Sequence, residues 1–395
     1  MNSISILWRD SRVRAISSQV LVVVIVLLLL FYLAGNAIVN LERLGIQYGF
    51  GFLGNLAGYD ISFSLLPFDF ATSTHLDALK IGILNTLLVS AMSIVLATVL
   101  GFMFGLMRMS GNVLVSSVAS AFVEVERNVP LLLHILFWFF GVWIALPSVR
   151  EGAEITALNP FGMDVLYIHN RGVNLPFADF GGQGWLLLVA LWISTAAIAG
   201  LWVFAKVKKA RTGQDFPIFM ASVAAAVVIF ALIWIVGGIK TTWDIPEAGR
   251  FNFSGGIEVI GSLFALWIAL SLYAAAFIAE NVRAGIMAVS KGQIEAAQAL
   301  GLKPRRITSK IVVPQAMRVI IPPVTNHYLN VVKNSSLAIA VGYPELVNVF
   351  VGSTLNLTGQ SVEVILLTMA VYLTISLTIS LLMNIYNRRM ALMER

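Results

Sequence analysis

Three stretches hold most of the residues able to do chemistry in this 395-residue chain. The first runs Glu124-Val-Glu126-Arg127-Asn128-Val-Pro130. The second runs Pro322-Pro323, Asn326, His327, Tyr328, Asn330 and then Lys333-Asn334-Ser335-Ser336. Both sit inside or beside apolar sequence, where an unpaired polar group is costly and marks a candidate functional site. Paired prolines also free backbone carbonyls, which only protein or water can satisfy there, so the second stretch predicts a broken internal helix lining a polar path. The competing reading is an ion pair such as Glu124 or Glu126 with Arg127 or Lys333, holding helices together. The third stretch, Glu295-Ala296-Ala297 to Ile311 and Pro314, is a polar loop. Residues 293–300 are good helix formers with small alanines, giving a short helix that another surface can approach closely. Gly301 is placed to end it in a left-handed conformation, and Pro304 to open the next turn.

Much other chemistry is excluded. No Gly-Lys dipeptide occurs, so the chain has no phosphate-binding Walker loop. His75, His134, His169 and His327 lack metal-site spacing and read as interfacial or structural residues. There are no cysteines, hence no disulfide, thiolate site or thiol nucleophile. The expectation is no catalytic residue, no metal and no cofactor of the chain's own.

The elements that must carry these residues follow from composition. Apolar residues make up 58% and charged residues 12%, about half the charge of a soluble domain. That excludes an ordinary soluble enzyme, a disordered chain and a coiled coil, and predicts an all-α polytopic membrane protein. Eight spans are expected: 20–39, 81–107, 129–146, 185–205, 217–239, 258–280, 317–332 and 362–386. Pro130 predicts a bend or an interfacial lead-in helix ahead of the third. Gly101 and Gly105 form a small-residue packing pattern that is frequent by chance. On one side of the alternation the loops hold 18 of the 26 Lys and Arg, and on the other side 6. The positive-inside rule then puts both termini in the cytoplasm, and explains the net charge of +6 by lipid rather than nucleic acid.

The polar loop reads Glu-Ala-Ala, three residues, Gly301, nine residues, Ile311-Val-Val-Pro314. It resembles the EAA loop of bacterial ABC importer permeases at every fixed position except Val313, where leucine is usual. Arg127-Asn-Val-Pro-Leu-Leu resembles the Arg-x-x-Pro-Leu-Leu segment of polar amino-acid (histidine/glutamine/arginine type) permeases. Lys333-Asn-Ser-Ser-Leu337 with Glu345-Leu346, and Asn85-Thr86-Leu87, resemble further segments of that family. The likeness covers about 80–146 and 258–388. The extra first helix and the 147–257 hairpin depart from the five-span members and look like the large permease subunits of the general L-amino-acid importer.

This resemblance implies a type I ABC importer permease core in the bacterial inner membrane. Residues 1–79 form an anchor helix and periplasmic loop, 80–388 the permease domain with 147–257 inserted, and 389–395 a cytoplasmic tail. The implied partners are ATPase subunits holding ATP and magnesium, a second related permease or second copy, a periplasmic amino-acid-binding protein, and membrane lipid. Docking on the ATPase falls to Glu295, Ala296, Ala297, Gly301, Ile311 and Pro314. For an amino-acid zwitterion, Arg127, Asn128, Lys333 and Asn334 offer donors to the carboxylate, and Glu124 and Glu126 acceptors for the ammonium. Asn326, Asn330, Ser335 and Ser336 complete the candidate path, while Glu280, Asn281 and Arg283 orient the coupling loop. The alternatives are a permease for another small polar solute, a secondary transporter, or a structural subunit. The second would show internal repeats and a charged midplane relay, and the third would have no broken polar helix.

Overall fold

The computed structural model describes residues 11–43, 49–149, 166–214, 216–249 and 252–390. The end of the tail, 391–395, lies outside them. Ten helices of note are α1 (Ser11–Arg43), α2 (His75–Met107), α3 (Val113–Asn128), α4 (Leu131–Leu136), α5 (Trp185–Thr212), α6 (Ile218–Val236), α7 (Gly261–Met287), α8 (Lys291–Ala299), α9 (Val313–Asn334) and α10 (Ser361–Met390). Six of them are long and apolar enough to cross a membrane, and a seventh span is a bent pair. Helix α9 is too polar for that test, but its 22 residues reach about 33 Å, enough for an eighth.

Residues 1–138 and 262–395 form one compact unit and 139–261 another. In the first, α7 is the helix around which the others pack. Two thirds of its apolar window is buried, against 28% for α2 and 11% for α10. Ala275, Ile278 and Val282 of α7 pack with Ala97 of α2 and with Ala316, Ile320 and Val324 of α9. The small-residue pattern in α2 proves to be a real contact. A Cβ at Gly105 would lie 2.7 Å from the Val282 Cβ, so glycine there lets the two backbones close up. Helix α1 buries none of its apolar window, 14–33, as a lipid-facing span would.

Local sequence sets the element ends. Thr74 and Asp77 form a reciprocal capping box at the start of α2. Asn112 caps α3 through the N–H groups of Leu114 and Val115. Val129 is extended ahead of Pro130, and Leu131–Trp143 then turns 106° from α3, as the proline predicts. Two expectations need correction. The sixth span does not start at Glu258, because Ile257–Ile260 is a strand paired with Gly172–Leu175, and the helix begins at Gly261. Nor do Pro322 and Pro323 break α9, which runs through both. They withdraw two N–H donors, but their fixed φ suits a helix.

The second unit holds the α5–α6 hairpin and short antiparallel ribbons that the sequence reading treated as plain loop. β2 (Gly172–Leu175) pairs with β1 (Tyr167–His169) and β7 (Ile257–Ile260). β3 (Phe177–Asp179) pairs with β4 (Thr242–Asp244), and β5 (Glu247–Ala248) with β6 (Phe253–Ser254). His169 is structural there, 2.7 Å from Asn174 Oδ1 and stacked on Phe253.

Candidate functional site

The loop after α7 folds as its residues dictate. Gly301 takes φ +72°, its N–H donates to Gln298 O, and the N–H of Leu302 donates to Ala297 O at 3.2 Å. These two bonds are the Schellman cap, so α8 ends in a fixed left-handed turn. Pro304 opens the next helical turn, Pro304–Ile307. Within α8 only Ala297 is buried; Glu295 and Ala296 are exposed, and Leu300 just beyond is 80% exposed. A short helix held at its base and presenting an acid, an alanine and a bare leucine is a docking element. Gln315 of α9 donates to Gln293 of α8 and to Ile311 O, bracing the docking helix against α9.

Above this loop, Glu280 of α7 accepts hydrogen bonds from Arg283 and from Arg108 at the end of α2. Arg108 also lies 3.8 Å from Glu124. Glu126 faces His134 at 3.5 Å across the α3–α4 bend. Neither glutamate therefore pairs with Arg127 or Lys333. Arg127 instead places its guanidinium 5.3 Å from the centre of the Phe277 ring.

Between α7 and α9 lies a cavity of about 340 Å³ whose walls include Tyr273, Phe277, His327, Asn330 and Asn334. Asn330 and Asn334 are one helical turn apart, so both amides reach one face. The amides and the imidazole can donate to a carboxylate, and the two aromatic faces can hold an ammonium group or an apolar side chain. The sequence candidates divide accordingly. Asn330 and Asn334 line this cavity, and Arg127 touches its wall at Phe277. Asn128 donates to Glu124 O, Ser335 to Val332 O and Ser336 to Lys333 O, while Asn326 and Lys333 are exposed and outside the lining. Tyr273, Phe277 and His327 complete the site. The first two sit one turn apart in a plain apolar run that gives no signal of its own. His327 was visible, but only as a lone histidine.

A second polar centre is fully internal. Glu345, between α9 and α10 and outside both spans, is fully buried. Its carboxylate accepts from the N–H groups of Val347 and Asn348 and from the Tyr372 hydroxyl, at 2.8–3.0 Å. Burial pushes its carboxyl above the ordinary range, and the three donors oppose that. Asn85 Nδ2 donates to Phe63 O and Pro344 O, and Tyr343 donates to Asn85 O. Among the described residues no group of acids and histidines is arranged to hold a metal.

Comparison with known proteins agrees with this layout. Residues 216–392 match the family described as "Binding-protein-dependent transport system inner membrane component". The chain is 44% identical to YhdX of Escherichia coli K12 over 398 residues, covering 99% of this chain and 98% of that protein. It is 44% identical to the general L-amino acid transport system permease protein AapQ of Rhizobium johnstonii, covering 98% of this chain and 94% of AapQ. It is 42% identical to the glutamate/glutamine/aspartate/asparagine transport system permease protein BztB of Rhodobacter capsulatus, covering 99% and 97%.

Proposed function

The chain belongs to the binding-protein-dependent inner-membrane transport components, as a multi-pass amino-acid ABC transporter permease subunit, and we propose that it moves L-amino acids from periplasm to cytoplasm by alternating access. A separate ATPase chain hydrolyses ATP and docks on α8, and a periplasmic binding protein delivers the solute. The second permease in the assembly is a related chain or another copy of this one. Both termini face the cytoplasm, on the side of the basic loops.

The observation that carries this reading is the brace from the docking helix to the cavity wall. Gln293 of α8 is hydrogen-bonded to Gln315 of α9, and α9 carries Asn330 and Asn334 into the cavity. A push on the capped α8 is thereby delivered to a helix that contacts the solute. The carboxylate of an amino acid is held by the amides and His327. Its ammonium rests on Tyr273 and Phe277 rather than on Glu124 or Glu126, which are engaged elsewhere.

The test is purification of the complex followed by uptake in proteoliposomes. An ATPase must co-purify, and uptake of amino acids must need ATP inside with the binding protein outside. Uptake by the permease alone, driven by an ion gradient, would make it a secondary transporter. ATP-dependent uptake confined to some other polar solute would reject the amino-acid assignment.

A further inference from the structure

The α3–α4 bend grips the cavity wall with both of its arms. On the α3 arm, Arg127 lies over the Phe277 ring at 5.3 Å. On the α4 arm, the His134 ring lies 6.0 Å from that of Tyr273. Tyr273 and Phe277 stand one turn apart on α7, and their rings pack on each other at 5.0 Å. The angle of the bend therefore fixes the spacing of the two residues that press on the aromatic wall. One side-chain contact spans the bend itself: Glu126 Oε2 to His134 Nδ1 at 3.5 Å. Both side chains are close to nine-tenths buried, and neither Glu126 Oε2 nor His134 Nε2 has a hydrogen-bond partner among the described residues. A charge-assisted hydrogen bond closes to about 2.8 Å, so this pair stands slightly open and has room to tighten. Proline at 130 withholds a backbone bond just where such a tie is needed.

We propose that Glu126 and His134 form a clasp across the bend that positions Arg127 and His134 against Phe277 and Tyr273, and so sets which solutes the cavity fits. The proposal rests on the reading that this cavity lies on the solute path. Glu126 and His134 are positioning residues: they act on the solute through the aromatic wall. Opening the clasp widens the wall and favours bulky side chains over small ones. An ordinary structural contact would lower yield and rate for every solute alike.

The test uses the complete complex in proteoliposomes, with loaded binding protein at saturation. It compares initial uptake of the largest and the smallest amino acids that the wild type carries. His134→Ala and Glu126→Gln are each expected to shift that ratio toward the larger solute by roughly fivefold, the weight of one net hydrogen bond. The double variant should shift it no further than either single one, because one contact has been removed twice. His134→Gln, which keeps a donor within reach of Glu126, should restore the ratio. ATP hydrolysis stimulated by loaded binding protein should stay within about twofold of wild type in each. An unchanged ratio in Glu126→Gln, or additive effects in the double variant, overturns the clasp even if His134→Ala fails to assemble. Wild-type complex that carries no amino acid at all would instead reject the functional reading beneath it.

Discussion

The hydroxyl of Thr86 in α2 accepts a hydrogen bond from the main-chain N–H of Leu346, at 3.1 Å and 260 residues further along the chain. The contact ties α2 to the segment that Glu345 holds against Tyr372. Replacing Thr86 with valine keeps the shape and removes the acceptor, leaving a buried N–H unpaired. The expected cost is about 1–3 kcal/mol, read as a lower unfolding temperature of the purified complex. Thr86→Ser keeps the acceptor and should lose less. Equal losses in the two variants would show that packing, not the hydrogen bond, holds the segment.

Gly105→Leu should be among the most damaging single changes in the bilayer. The new side chain meets Val282 and the Ala279 carbonyl at once, and α2 must move off α7. Overpacking of this kind costs roughly 1–3 kcal/mol. Yield of folded permease in detergent is the measurement, with Gly111→Leu as control, since nothing lies within 4 Å of that position. Matching yields would remove the close approach as a determinant of the fold.

Gly301→Val forces a branched side chain into a left-handed turn, at about 1–2 kcal/mol of strain. The cap is outside the bilayer, so the permease should still insert. Helix α8 then loses its two capping bonds and misplaces Glu295. The expected result is either loss of the ATPase on purification or ATP hydrolysis that no longer responds to loaded binding protein. Wild-type coupling in this variant would mean that α8 docks by a surface other than its capped end.

Asn334→Ala should reduce uptake more than Lys333→Ala, although the lysine is the charged residue. Asn334 lines the cavity, and Lys333 is exposed on the neighbouring face. Loss of one buried hydrogen bond to the solute corresponds to roughly a fivefold fall. Uptake rates of the two assembled complexes decide the matter. A reversed order would place the solute path on the Lys333 face of α9.

Topology is tested most directly in a chain without cysteine. A single cysteine at position 209, in the basic turn of the α5–α6 hairpin, should resist an impermeant thiol reagent in intact cells and react in inverted vesicles. Labelling from the periplasm would reverse the orientation drawn from the basic residues.

The helices, the bend and the Schellman cap were legible because each rests on local chemistry: apolar length, a proline, a glycine at the right offset. The cavity was only half legible. Asn330 and Asn334 announce themselves as amides in an apolar span, whereas Tyr273 and Phe277 look like any other aromatic residues of α7. Glu124 and Glu126 were assigned to the solute from charge alone, and the structure engages them with Arg108 and His134. Which acid meets which base is a tertiary fact that spacing does not encode. The ribbons of 167–179 and 242–260 escaped for a related reason. Strands of two to four residues carry too little alternation to register, and the pairing partner of β2 lies across two whole spans.

Helix α7 meets both of its neighbours through glycine: Gly101 and Gly105 of α2 press on it from one side, and its own Gly285 receives Ile320 of α9. A contact made by a missing side chain has no rotamers with which to absorb a small displacement. Neighbours held this way keep their register until they slip to another, as packed helices do in shear motions. Alternating access in such a bundle would be a click between two seatings, with α7 as the stator and α9 as the part that slides.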